Sequence, residues 1–254
     1  MLRALLQPQG FRVVPKRLNQ FKASYLDQKR PANYEPLTVI SLLNHTALHY
    51  PTKMAYVHGN VKATWKELHE RVKRFSSALV KLGVVEGDVV SIIAPNTPSI
   101  FEAHFAVPGC PGAVLHTINT RLDAATIAFQ LNHAKTKVFM VDSEFGQLAK
   151  EALSLLPKDL KQPIVIDIHD PEYKPAAPAI LCGDGKIKYE DFIARGDLDD
   201  LYQPEDEWDA IGLSYTSGAI DCPTSFHSSY QPFIQLNLTD RLRPFKILFS
   251  STPS

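Results

Sequence analysis

The feature that most constrains the fold is the alternation of short apolar runs with capped amphipathic segments across residues 88–168. The run Val89-Val90-Ser91-Ile92-Ile93 predicts a buried strand, and a helix start follows where Thr97 precedes Pro98, a residue preferred at the first helical position. Similar strands are predicted at 113–118, 137–141 and 164–168, with helices after Asp123 and from Glu144. Such alternation predicts an α/β fold with a doubly wound, mostly parallel sheet and flanking helices.

The segment before this alternation predicts two helices separated by a hairpin. Thr38 is placed to cap a helix over residues 39–50, and a turn at Gly59-Asn60 separates two short strand patterns. Thr64 and Glu67 have the spacing of a capping box, in which each side chain accepts a hydrogen bond from the other residue's backbone N–H. We therefore expect the second helix to begin directly after Thr64.

Composition narrows the possible classes of partner. The 254 residues are 44% hydrophobic and 21% charged, which is typical of a globular protein. Lys+Arg and Asp+Glu are balanced at 27 each, so net charge indicates no nucleic-acid partner. No apolar run approaches the roughly 20 residues that span a bilayer. The 3 cysteines are far apart and predict neither a metal site nor a disulfide framework.

Residues 1–30 differ from the rest because they are rich in Lys and Arg and contain one acid, Asp27. A basic, acid-poor, partly apolar N-terminus resembles a mitochondrial presequence, although serines are scarce in this one. The alternative is a basic leader outside the fold, with the protein in the cytoplasm or the peroxisome. The sequence leaves the localisation open between these.

Candidate metal and catalytic residues are few. His45 and His49 have the spacing of a helical metal pair, but no third ligand accompanies them. The acidic residues between 199 and 209 are interpreted as a solvated loop. Ser214 lies two residues after Gly212, as in a nucleophile elbow, but the closing glycine is missing. We therefore predict no metal ligand and no catalytic residue.

The strongest functional signal is the stretch Tyr215-Thr216-Ser217-Gly218, which follows an apolar strand pattern at 210–213. Hydroxyl groups and close backbone N–H groups can surround anionic oxygens, and glycine lets the backbone approach without a side chain in the way. We therefore predict that Tyr215, Thr216, Ser217 and Gly218 form part of an ATP phosphate-binding loop.

Four segments together resemble the N-terminal part of the AMP-forming acyl-CoA synthetases, members of the adenylate-forming superfamily. They are 32–38 (ANYEPLT), 87–96 (GDVVSIIAPN), 112–122 (GAVLHTINTRL) and 215–218 (YTSG). The resemblance is to the fatty-acyl- and benzoate-CoA ligase branch. It implies ATP-dependent activation of a fatty or aromatic carboxylic acid to an acyl-adenylate and then to an acyl-CoA. ATP, Mg²⁺ and coenzyme A are the implied cofactors.

The sequence departs from the family's loop, which reads Tyr-Thr-Ser-Gly-Thr-Thr-Gly-x-Pro-Lys-Gly. Ala219 and Ile220 replace the two threonines, Asp221 replaces the second glycine, and Thr224-Ser225 replace Lys-Gly. The loop thereby loses hydroxyls and a cation and gains a negative charge, which opposes the binding of a triphosphate. We expect the chain to bind none of the cofactors effectively and to be an inactive fragment by itself.

These observations divide the chain into three regions: a basic leader at 1–30, the ligase-like part at 31–218, and a divergent tail at 219–254 that is expected to be foreign to the fold. Without later neighbours, the strand at 211–214 is expected to expose an open edge or apolar surface. Two alternatives to the enzyme fragment stay open. One is a non-catalytic short isoform that binds a full-length ligase or another partner, and the other is the product of an incorrect gene model. The sequence does not specify the oligomeric state.

Overall fold

The computed structural model describes residues 36–157, 161–174, 179–204 and 206–216, and the backbone of 224–229. The predicted leader at 1–30 and two of the four predicted loop residues, Ser217 and Gly218, lie outside these described residues. Within the described residues, no helix is both long enough and apolar enough to cross a membrane.

The N-terminal elements form where the sequence predicts them. They are α1 (Val39–His49), β1 (Met54–His58), β2 (Val61–Thr64) and α2 (Trp65–Lys81). Thr38 and Thr64 both form capping boxes, with Ser41 and Glu67 as the reciprocal partners. The predicted hairpin is confirmed, since β1 and β2 pair antiparallel around the turn at Gly59-Asn60.

The centre of the fold is a sheet of six strands. They are β3 (Val89–Ile93), β4 (Val114–Thr117), β5 (Thr136–Asp142), β6 (Ile164–Ile168), β7 (Ala210–Thr216) and β8 (Thr224–Ser229). The order across the sheet is β6-β5-β3-β4-β7-β8. The first five strands in this order run parallel, and β8 is antiparallel to β7. The mostly parallel sheet predicted from the alternation is therefore confirmed.

Helices cover both faces of the sheet, as expected for a doubly wound fold. The later helices are α3 (Pro98–Ala106), α4 (Ala124–His133), α5 (Gly146–Ser154) and α6 (Tyr189–Ala194). One core contains residues of α1, α2, α3 and α6 together with Val90 and Ile92 of β3. The second contains residues of α4 and α5 together with Ile93 and Phe139. Alternate residues of the buried strands thus contribute to opposite cores, because side chains alternate across a strand.

Helix α3 begins at Pro98 as predicted but has no side-chain cap, whereas the helix predicted from Glu144 begins differently in the structure. Thr97 precedes α3 but makes no capping hydrogen bond, because its hydroxyl lies 2.9 Å from the Ser99 hydroxyl instead. The helix expected from Glu144 begins with a 3-10 turn, and α5 starts at Gly146. The Asp142 carboxylate accepts a hydrogen bond from the Glu144 N–H and stabilises that tighter turn. Asp123 does cap α4, through the Thr126 N–H at 2.8 Å.

The expectation that the strand at 211–214 would expose an open edge is wrong. After β7 the chain reverses, and β8 pairs along β7 from Thr216 opposite Thr224 to Ala210 opposite Ser229. Ile211 and Leu213 are 8% and 4% exposed, so the apolar residues of β7 are buried. A sheet edge that is paired with a neighbouring strand has its backbone N–H and C=O groups satisfied on that side.

Candidate functional site

Two of the four predicted loop residues can be placed, both at the end of β7. Thr216 is the last residue of the strand and lies opposite Thr224 of β8. Tyr215 is half-buried, and its hydroxyl lies 2.7 Å from Nδ1 of His133, at the last residue of α4. The strand predicted before the loop is therefore confirmed, whereas the phosphate-binding role of the four residues stays a prediction.

Aromatic rings surround the Tyr215 side chain. Its ring centroid is 5.1 Å from that of His116 and 5.7 Å from that of His133. The ring of His133 in turn stacks on Phe129 at 5.6 Å. Burial raises the pKa of Tyr215, so its phenol keeps its proton and can donate a hydrogen bond to Nδ1 of His133.

Beneath Tyr215 a buried chain of hydrogen bonds crosses three strands. The Ser91 hydroxyl lies 2.9 Å from Nδ1 of His116 and 2.7 Å from the Thr136 hydroxyl. Burial lowers the pKa of His116 to about 4, and the nearby Gln130 amide opposes this shift only in part. His116 Nε2 and Gln130 Oε1 are both buried with no hydrogen-bond partner among the described residues. His116 is therefore a neutral packing residue at pH 7.

Further polar residues lie at the carboxyl edge of the parallel strands, which is where ligands bind in open α/β sheets. A cleft of about 390 Å³ lies there, and its lining includes Tyr56, Arg71, Thr97, His169 and Tyr189.

The hairpin borders this cleft and is bound to the loop after β6. Nε2 of His58 lies 2.8 Å from an Asp170 carboxylate oxygen, and the Asn60 N–H donates to Glu172 at 3.0 Å.

One wall of the cleft is a cluster of ion pairs around Glu102, which is fully buried. One carboxylate oxygen of Glu102 accepts hydrogen bonds from Tyr56 at 2.9 Å and Arg71 at 2.7 Å. The other accepts from Tyr189 at 2.7 Å and Arg71 at 3.1 Å. Arg71 also contacts Glu190. Burial lowers the pKa of Arg71, but its hydrogen bonds to Glu190 and Glu102 outweigh this and raise it. These charges compensate one another, which is the arrangement of a structural ion-pair network.

A second buried carboxyl group lies at the end of β5. Asp142 is 1% exposed, and its Oδ1 accepts the Glu144 N–H at 3.1 Å, but its Oδ2 has no partner among the described residues. Burial and the charge of Asp170 raise the pKa of Asp142 to about 6, against the hydrogen bond from Glu144. The sequence does not mark this residue, because its shift arises from packing.

Among the described residues, no group of three or more His, Cys, Asp or Glu side chains could hold a metal ion. The polar side-chain partner of Tyr215 among them is His133. Since Ser217 and Gly218 lie outside the described residues, the binding of ATP at this loop stays a prediction.

Comparison with known proteins places this arrangement in a family. The profile of the AMP-binding enzyme family matches residues 43–219, which is more than half of the chain. The chain belongs to the AMP-binding enzymes. The match includes β3, β4, β7 and the stretch Tyr215-Thr216-Ser217-Gly218, so the resemblance inferred from the sequence is confirmed.

The relatives in this family are plant CoA ligases. The chain is 42% identical over 200 residues to a peroxisomal acetate/butyrate–CoA ligase of Arabidopsis thaliana, covering 77% of this chain and 35% of that one. It is 39% identical over 216 residues to an acetate–CoA ligase of Humulus lupulus, covering 83% and 38%. A peroxisomal benzoate–CoA ligase of Arabidopsis thaliana is 38% identical over 200 residues, with 76% and 33% covered. The chain thus spans about a third of the length of the relatives it matches.

Solved structures show the same fold. An anthranilate CoA ligase in complex with anthranoyl-AMP superposes with a TM-score of 0.66 at 18% identity, covering 81% of this chain and 37% of that one. A benzoate CoA ligase from Burkholderia xenovorans superposes with a TM-score of 0.62 at 20% identity, covering 78% and 36%. The sheet and its helices therefore have the fold of the matching part of these CoA ligases.

The names of the relatives also bear on localisation. Several of them are peroxisomal proteins, which is consistent with the peroxisomal alternative left open by the sequence. They give no support to the mitochondrial interpretation of residues 1–30, which lie outside the described residues.

Proposed function

We propose that this chain is the N-terminal part of an AMP-forming acyl-CoA ligase. In this role it supplies the α/β subdomain and the strand that leads into the phosphate loop. The single observation that carries the proposal is the profile match to the AMP-binding enzymes, which continues to residue 219. In the structure, β7 brings Tyr215 and Thr216 to the end of the parallel sheet, as expected for residues that enter a loop at its carboxyl edge.

The substrate class we propose is a small aliphatic or aromatic carboxylic acid. The relatives named above act, by their names, on acetate, butyrate and benzoate. The whole ligase would use ATP, Mg²⁺ and coenzyme A to convert the acid to an acyl-adenylate and then to a thioester. The choice among these acids depends on the residues that line the acyl pocket.

We also propose that the chain does not carry out adenylation by itself. Ala219 and Ile220 lack the hydroxyls of the family's loop, Asp221 adds a negative charge, and Thr224 stands where the family has lysine. Positioned positive charge and hydrogen-bond donors are the main source of catalysis in phosphoryl chemistry, so their loss is expected to abolish it.

An ATP–pyrophosphate exchange assay tests both parts of this proposal. We expect no exchange above the acid-free background when the 254-residue chain is incubated with acetate, butyrate or benzoate. The matched control is a chimera in which residues 43–218 replace the corresponding segment of the Arabidopsis acetate/butyrate–CoA ligase. We expect exchange by that chimera. Exchange by the chain alone would contradict its inactivity, and a folded chimera without exchange would contradict the role of the subdomain.

For the whole protein we propose a peroxisomal location, supported by the names of several relatives. Two fusions, one carrying a fluorescent protein at its N-terminus and one at its C-terminus, are expressed with organelle markers to test this, because a tag can mask a targeting signal at the end to which it is joined. We expect overlap with the peroxisomal marker, and overlap with the mitochondrial marker would contradict the proposal.

A further inference from the structure

We propose that His133 is a positioning residue that holds Tyr215 and, through it, the end of β7 that leads into the predicted nucleotide loop. This inference rests on the proposed function, because Tyr215 has a nucleotide-binding role only there. The contact joins residues 82 positions apart in the sequence, and His133 lies outside the stretch that the family's loop pattern includes.

The pairing of β7 shows why its end needs such a contact. On the side of β4 the register consists of Leu115 opposite Gly212 and His116 opposite Leu213. Beyond Leu213, the described pairing of β7 continues only with β8. The last residues of β7 therefore form a two-stranded ribbon, and such ribbons are marginally stable by themselves. The hydrogen bond from Tyr215 to His133 connects this ribbon to the helical layer of the domain.

His133 itself is held by its own helix. It stacks on Phe129, one turn earlier in α4, with the ring planes inclined by 15°. The start of α4 is capped by Asp123, and Ile127 and Leu131 are buried in the second core. Because the helix is anchored at its start and along its buried face, the imidazole is a rigid support for Tyr215. Binding groups are held within the required tolerance when rigid elements carry their supporting side chains.

The second contact of the Tyr215 ring limits its movement on the other side. The His116 ring lies 5.1 Å away, and its Nδ1 is bound to the Ser91 hydroxyl in the sheet interior. The phenol is therefore confined between a surface imidazole and a buried one. Removing the hydrogen bond to His133 releases the outer side of the ring and leaves the inner contact, so the expected effect is local.

Hydrogen exchange of the 254-residue chain tests the proposal with four variants. His133→Ala and Tyr215→Phe each remove the hydrogen bond. His133→Asn keeps a polar atom near the position of Nδ1. Asn132→Ala is the matched control on the same helix, since Asn132 is exposed and its side chain has no hydrogen bond to the described residues. We expect amides of residues 214–216 and 224–229 to exchange about fivefold faster in the first two variants, as for one lost hydrogen bond.

Two comparisons decide the outcome: whether His133→Asn restores the exchange rates of the unmodified chain, and whether the faster exchange is confined to residues 214–216 and 224–229. We expect His133→Asn and Asn132→Ala to exchange like the unmodified chain, and the double variant of His133→Ala with Tyr215→Phe to match either single variant. Unchanged exchange in His133→Ala would overturn the proposal. So would equal acceleration in β3 and β5, because that result means that His133 stabilises the fold as a whole.

A second series of measurements separates this inference from the proposed function. Exchange is repeated with MgATP on the chimera that carries residues 43–218 in the Arabidopsis ligase, because the departures after Gly218 oppose triphosphate binding by the chain itself. Protection of residues 214–216 in the unmodified chimera that is reduced in His133→Ala and restored in His133→Asn supports both. If MgATP protects nothing in any variant while the exchange rates differ as expected, the positioning role stands and the nucleotide-binding prediction for Tyr215 fails.

Discussion

Two regions of this subdomain bury ionisable side chains in opposite ways. Between α2, α3 and α6, Glu102 is fully buried, and each of its oxygens accepts two hydrogen bonds. In the sheet and at its carboxyl edge, Asp142 and His116 are also buried, but each has one polar atom with no partner among the described residues. The first region surrounds a charge with donors, and the second leaves its groups partly unsatisfied.

The pKa values follow this difference. Burial and the neighbouring Glu102 carboxylate raise the pKa values of Tyr56 and Tyr189, so both phenols remain donors to a carboxylate. Asp142 and His116 instead have pKa values of about 6 and about 4, each displaced by burial toward the neutral form. Burial disfavours the charged form of a group that lacks polar partners, and the displaced pKa values of Asp142 and His116 follow from this. The comparison therefore predicts stability that depends on partners in one region and on pH in the other.

The largest expected effect is the loss of Glu102. Glu102→Ala leaves Arg71 with one carboxylate partner and leaves two phenols without an acceptor, which is expected to lower the free energy of unfolding by about 3–5 kcal/mol. Chemical denaturation at pH 7 measures it. The matched control is Glu190→Ala, whose side chain is 69% exposed and is expected to cost about 1 kcal/mol or less. Equal effects of the two substitutions would contradict the distinction between a buried network and a surface pair.

The next effect is an acid sensitivity due to His116. Its pKa of about 4 in the folded state is below the ordinary value of 6.5, so only the unfolded state gains a proton between these values. Stability is therefore lost as the pH falls from 6.5 to 4, by about 3 kcal/mol for this group. His116→Asn keeps a partner for Ser91 and removes the titration. The difference in unfolding free energy between the two proteins, measured across this pH range, should change by that amount, and a constant difference would contradict the prediction.

The smallest effect is a gain of stability when Asp142 is made neutral. The folded-state pKa of about 6 lies above the ordinary value of 3.8, so the unfolded state releases its proton first and stability falls as the pH rises from 3.8 to 6. Above pH 6, Asp142→Asn is expected to raise the unfolding free energy by about 2 kcal/mol, allowing for one amide group that is still unpaired. Thermal or chemical unfolding at pH 8 and pH 3.5 tests this. A gain of the same size at both values would show that ionisation is not its cause.

Much of the fold was predictable because its signals are local. Capping boxes such as Thr64 with Glu67 involve residues three positions apart, and strand patterns such as 89–93 are read from consecutive residues. The start of α5 was predicted too early because the Asp142 carboxylate binds the Glu144 N–H and favours a 3-10 turn. The position of β8 was missed altogether, since 224–229 has no alternating apolar pattern that would predict a strand.

The candidate site, too, was predicted from the sequence only where its signals are local. The amino-acid sequence by itself determined the α/β class, the family of the chain, and the stretch Tyr215-Thr216-Ser217-Gly218 with its departures from the family's loop. Only the tertiary structure decided that Tyr215 contacts His133, that Glu102 unites distant segments, and that Asp142 is a weakened acid. The reason is physical: periodicity and capping act between near neighbours in the chain, whereas burial, charge compensation and these contacts depend on which distant residues the fold brings together.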